Sequence, residues 1–161
     1  DLLRAESLGL QTGNIPQAIA FTEERKNVSF FGAMMVHEIR SWFTNKRARD
    51  MLQKMLAFGY GRGARVVNYW DDDPPLSVSD ERCKWLWLDR DGAAMVLLCT
   101  WSDEDAELTL SLSPGAGIAS AAAADAESGD VLATDDGGDI RLSMPAYGTR
   151  LLSLSPGASP E

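Results

Sequence analysis

The stretch Arg65-Val-Val-Asn-Tyr-Trp-Asp-Asp-Asp-Pro-Pro75 constrains this chain more than any other. An apolar run of strand length leads into three acids, and two consecutive prolines then forbid any regular continuation. The hydrophobic pattern differs on the two sides of it: continuous or helical in period upstream, alternating downstream. One architecture should therefore stop here and another begin, which makes the expected fold class α+β. Charge divides at nearly the same place. Residues 1 to 79 sum to +1 and residues 80 to 161 to −10, so an acidic module follows a nearly neutral one.

A length of 161 residues allows one domain or two small ones, and 45% apolar content supplies a packed core. The net charge of −9 argues against nucleic acid as a partner, since such a partner calls for a basic face. No run of about 18 uncharged apolar residues occurs, so no transmembrane helix is expected. The chain opens at Asp1 without an initiator Met or signal peptide, and is read as a piece of a longer protein. Cys83 and Cys99 are too few for a disulfide scaffold and lack zinc-site spacing; they are expected as buried free thiols. No motif calls for a cofactor or a metal.

Upstream of the junction, Gly9, Gly13 and Pro16 suggest loops around a short element. Phe30 to Val36 is a continuous apolar run, and the spacing predicts a strand over 28–36, covered on both sides. Ala48, Met51, Leu52, Met55 and Leu56 fall at i, i+3, i+4, i+7 and i+8, which predicts a helix capped by Thr44 or Asn45 and ended by Gly59, Gly61 and Gly63. Ala64 to Tyr69 is a second apolar strand. Strand, helix and strand make a βαβ unit with parallel strands. Ligand sites in parallel α/β folds form at the carboxyl ends of strands, which here carry His37 and Glu38 on one and Trp70 and Asp71 on the next. These four are the candidate substrate-binding residues. A structural histidine, a packed tryptophan and an acidic turn before the prolines are the competing explanations.

Downstream, Cys83, Trp85 and Trp87 share one face of a strand, with Lys84, Leu86 and Leu88 on the other. Asp89-Arg-Asp-Gly92 predicts a hairpin turn, and Ala93 to Trp101 returns. Leu108, Leu110 and Leu112 alternate with polar residues; Ile118 to Ala126, Val131 to Thr134, Ile140 to Met144 and Thr149 to Leu154 complete about seven short strands, the pattern of an antiparallel β-sandwich.

Thr100-Trp-Ser-Asp-Glu-Asp-Ala-Glu-Leu-Thr-Leu110, Asp125-Ala-Glu-Ser-Gly-Asp-Val-Leu132 and Met144-Pro-Ala-Tyr-Gly-Thr-Arg-Leu-Leu-Ser-Leu154 resemble, in order and spacing, the β-sandwich that follows the catalytic barrel in many glycoside hydrolases. The first half is similar to the closing strands and helix of such a barrel. The resemblance implies a division into 1–75, a βαβ remnant of a barrel-like α/β region; 76–155, the sandwich; and 156–161, a frayed tail. It implies an accessory and barrel-closing part of a carbohydrate-active enzyme, with carbohydrate reached through the parent enzyme and the missing N-terminal barrel region as neighbour. Glycoside hydrolysis needs two carboxyl groups flanking the bond, and a whole barrel needs about 250 residues. Catalytic residues are therefore assigned to no position, and the chain alone is expected to be inactive. The other reading is a non-catalytic glycan- or protein-binding sandwich, with Trp85 and Trp87 as an aromatic platform if their indoles are exposed.

Overall fold

The computed structural model describes residues 17–19, 24–42, 45–118, 121–134 and 138–156. The fold is α+β: among these residues, two helices and a parallel strand pair accompany nine strands in two antiparallel sheets. In chain order the elements are β1 (Gln17–Ile19), α1 (Glu24–Met35), β2 (Arg40–Trp42), α2 (Lys46–Phe58), β3 (Arg65–Asn68), β4 (Leu76–Val78), β5 (Cys83–Arg90), β6 (Ala93–Thr100), β7 (Ala106–Leu112), β8 (Ala121–Asp125), β9 (Ala133–Thr134), β10 (Ile140–Met144) and β11 (Thr149–Pro156). The tail beyond Pro156 and the loops expected before Gln17 lie outside the described residues.

One sheet has the order β4-β7-β10-β9 and the other β3-β5-β6-β11-β8. The inner faces enclose one core, with Trp85, Trp87, Val96 and Leu98 meeting Leu108, Leu110, Ile140 and Met144. The outer face of the five-stranded sheet carries Leu86, Leu88, Met95, Leu97 and Leu151, and α1 and α2 cover it with Phe31, Met34, Met35, Met51 and Met55. Burial on both faces explains why β5 and β6 read as nearly unbroken apolar runs, whereas β10, wet on one side, alternates buried and exposed residues along its length. Asp91 and Gly92, at φ 53° and 77°, form a two-residue hairpin between Arg90 and Ala93, so β5 runs further into the expected turn than its composition suggests.

Two expectations for the first half are corrected. Residues 28–36 are not a strand; most of them belong to α1. The run is apolar all round because residues 31–36 are all buried, and periodicity alone cannot separate that case from a buried strand. A βαβ unit is present, but it is β1–α1–β2, whose strands pair in parallel from Gln17↔Arg40 to Ile19↔Trp42. Nor does Ala64–Tyr69 pair in parallel with residues 28–36. Its strand β3 lies antiparallel to β5, with Val67 opposite Trp87, and so belongs to the sandwich's larger sheet.

The helix after the first turn forms as its spacing requires. Asn45 accepts a hydrogen bond from the Ala48 amide at 3.0 Å, Gly59 closes the other end, and Ala48, Met51 and Met55 are buried while Leu56 stays exposed.

Candidate functional site

His37 and Glu38 stand where α1 ends. The helix stops in a two-bond cap, Glu38 N to Met35 O at 3.0 Å and Ile39 N to Met34 O at 2.9 Å, which puts Glu38 in the left-handed region at φ 54°. Glycine is the usual occupant of that position. Residues 68–71 leave the end of β3, antiparallel pairing sets the start of β5 beside them, and the end of β6 follows. One end of the five-stranded sheet thus collects His37, Glu38, Asn68, Tyr69, Trp70, Asp71, Lys84 and Trp101.

His37 is 3% exposed. Its Nδ1 lies 2.7 Å from the Ala33 carbonyl oxygen, which can only accept, so the ring proton sits on Nδ1. In the neutral ring Nε2 then accepts from the Tyr69 hydroxyl at 3.0 Å. The imidazole stacks on Trp70 at 5.8 Å and 23°, and meets the Trp101 ring at 5.8 Å and 57°. Tyr69 crosses Trp70 edge-on at 4.7 Å, with the Lys84 ammonium 5.0 Å from the centroid of the Tyr69 ring.

The carboxylates join through one asparagine. Asn68 Nδ2 donates to Glu38 Oε2 at 3.1 Å, while the Asn68 backbone N–H donates to Asp71 Oδ2 at 2.9 Å and its carbonyl accepts from Asp71 N at 3.0 Å. Asn68 Oδ1 is buried without a protein partner. Glu38 and Asp71 are exposed, Trp70 is half-buried, and Trp101 is 41% exposed. Together they offer partly exposed indole surface and a row of hydrogen-bond acceptors. Such a surface suits the C–H face and hydroxyl groups of a sugar. Among the described residues no group of three His, Cys, Asp or Glu side chains is placed to hold a metal ion.

The four residues singled out from the sequence therefore meet, although by a different route from the one expected: a helix end faces a strand end. Sequence reasoning missed Asn68, Tyr69, Lys84 and Trp101. Of these, Trp101, next to the acidic turn that ends β6, carried the most visible signal. Trp85 and Trp87 are 5% and 0% exposed beneath the other sheet, so they form no aromatic platform. Cys83 faces the inter-sheet core and Cys99 the helices, on opposite sides of one sheet, and both thiols are free.

No family model matches the chain, and no curated protein matches it either. Solved structures do share its fold, among them glycoside hydrolases of family 30. A family 30 endoxylanase from Clostridium papyrosolvens superposes with a TM-score of 0.56 at 12% identity, covering 89% of this chain and 41% of the enzyme. A family 30 subfamily 8 xylanase from Clostridium acetobutylicum gives 0.56 at 7% identity, over 88% of this chain and 42% of that one. A Bacillus halodurans protein described as a candidate α-N-acetylgalactosaminidase gives 0.51 at 14%, over 84% and 33%. The chain spans about two-fifths or less of the length of these proteins. At such identities the likeness is one of fold.

Proposed function

We propose that this chain is the barrel-closing segment and accessory β-sandwich of a carbohydrate-active enzyme, and that the His37–Trp70 end of its larger sheet contributes sugar contacts without a complete catalytic pair. The observation that carries the reading is the meeting of Trp70 and Trp101 with the exposed carboxylates of Glu38 and Asp71 around the buried His37. Trp70 supplies a stacking face, and Glu38 and Asp71 accept from sugar hydroxyls. His37, with both ring nitrogens engaged, acts as a positioning residue for the two indoles. Further support comes from β1 and β2. Parallel pairs normally lie inside larger covered sheets, and among the described residues this one has two strands of three residues each. More strands from a preceding barrel region would complete it. The fold shared with glycoside hydrolases agrees with this placement.

The test is titration of the chain with neutral xylo-, malto- and galacto-oligosaccharides, followed by tryptophan fluorescence, beside an assay on aryl glycosides. Binding that weakens about tenfold in Trp70→Ala is expected, with no turnover. Turnover that disappears in Glu38→Gln would show a complete active site, and an absence of binding across the panel would remove the carbohydrate reading altogether.

A further inference from the structure

A cleft among the described residues lies away from that site. It opens between α1, α2 and the turn joining β10 to β11, has a volume of about 620 Å³, and is lined by Ser29, Arg47, Ser143, Pro145, Tyr147 and Arg150 among others. That size is within the range of about 300–1,000 Å³ typical of small-molecule sites.

Tyr147 is the unusual residue. It is 46% exposed, yet its backbone sits at φ 52°, where a bulky side chain is strained and glycine is not. The turn holds it there: the Tyr147 amide donates to Ser102 O at 2.8 Å, its carbonyl accepts from Ser29 Oγ, and Gly148 N donates to Pro145 O at 2.8 Å. An aromatic side chain left half outside the core adds little to packing, so a strained position spent on it points to a ligand. The charges of the cleft are already balanced from behind. Arg47 Nε and Nη2 donate to Glu127 at 2.7 Å each, and Arg150 Nη2 pairs with Asp125 Oδ2 at 3.2 Å while Nη1 donates to Ser143 O at 2.8 Å. An anion would compete with those carboxylates, and a hydrocarbon would leave guanidinium edges and the Ser143 hydroxyl dry.

We infer that this cleft is a second carbohydrate subsite, taking an uncharged pyranose whose C–H face lies on Tyr147 and whose hydroxyls meet the paired guanidinium groups and Ser143. The choice of ligand rests on the carbohydrate reading above; the location does not. Amide chemical shifts of the labelled chain, recorded with xylohexaose, maltohexaose and tri-galacturonate, provide the test. A neutral oligosaccharide is expected to move the amides of Tyr147, Gly148, Thr149 and Arg150. Tyr147→Gly should raise the Kd at that cluster about tenfold or more without lowering the thermal midpoint, because φ 52° suits glycine, while Trp70→Ala leaves the cluster's response intact. Shifts confined to residues 37–38 and 68–71 would overturn the second site and leave the first standing. No shifts anywhere would remove both, and a response to tri-galacturonate alone would overturn the uncharged ligand.

Discussion

His37 shows how one residue changes meaning with its surroundings. In sequence it is a histidine beside a glutamate; in the fold it is a buried spacer between an alanine carbonyl, a tyrosine hydroxyl and two indoles. Cys83 and Cys99 are simpler cases at the same scale. Burial, the main cause for each, pushes both thiols from the ordinary 9.0 up to about 12. The folded chain therefore keeps protons that the unfolded chain releases. That contribution to stability is fully present below about pH 9 and is lost as pH rises toward 12. Urea midpoints are expected to fall between pH 9 and 11, and to fall less in a Cys83→Ala/Cys99→Ala variant. An aromatic disulfide reagent at pH 8 should label neither thiol until urea unfolds the chain; rapid native labelling would contradict their burial.

Among the elements, α1 departs furthest from its sequence pattern. Phe30 to Val36 contains no charged position to betray a helix, since the five-stranded sheet covers what a surface helix leaves wet. Gly32, which would weaken a helix on propensity alone, lets α1 approach β6 and β11: an added Cβ would overlap Thr149 Oγ1 and lie 2.8 Å from Cys99 Sγ. Gly32→Ala should destabilise the protein by about 1–3 kcal/mol through overpacking, despite alanine's better helix propensity. Denaturant unfolding measures this directly, and a stabilised variant would show that the helix does not rest so closely on the sheet. By contrast α2 was legible from end to end, because a surface helix displays its period and its caps in the chain itself.

For the whole molecule, the layers decide how separable the two halves are. The sequence pattern suggests division at Pro74-Pro75, and the charge imbalance agrees. The packing cuts across it: β3 completes the five-stranded sheet, and α1 and α2 cover Leu86, Leu88, Met95, Leu97 and Leu151 on its outer face. A chain trimmed to residues 76–156 should therefore bind a hydrophobic dye and lose its cooperative thermal transition, having uncovered a large apolar face. Cooperative melting of that fragment at the parent midpoint would show instead that the sandwich stands alone.

The sandwich strands from Cys83 onward and the helix α2 were readable in the chain itself, because period-two alternation, turn residues and capping chemistry are local signals. The meeting of His37, Glu38, Trp70 and Asp71 was also anticipated, though through a parallel strand pair that does not form. Tertiary structure alone decided that residues 28–35 are helical and that β3 pairs antiparallel with β5, since a continuous apolar run shows no period to reveal its type, and a short strand carries no signal that names its partner. It also brought Trp101, distant in sequence, against His37, and shaped the cleft at Tyr147 from two helices and a turn. Those contacts depend on the register between elements, and register is set by how whole faces pack.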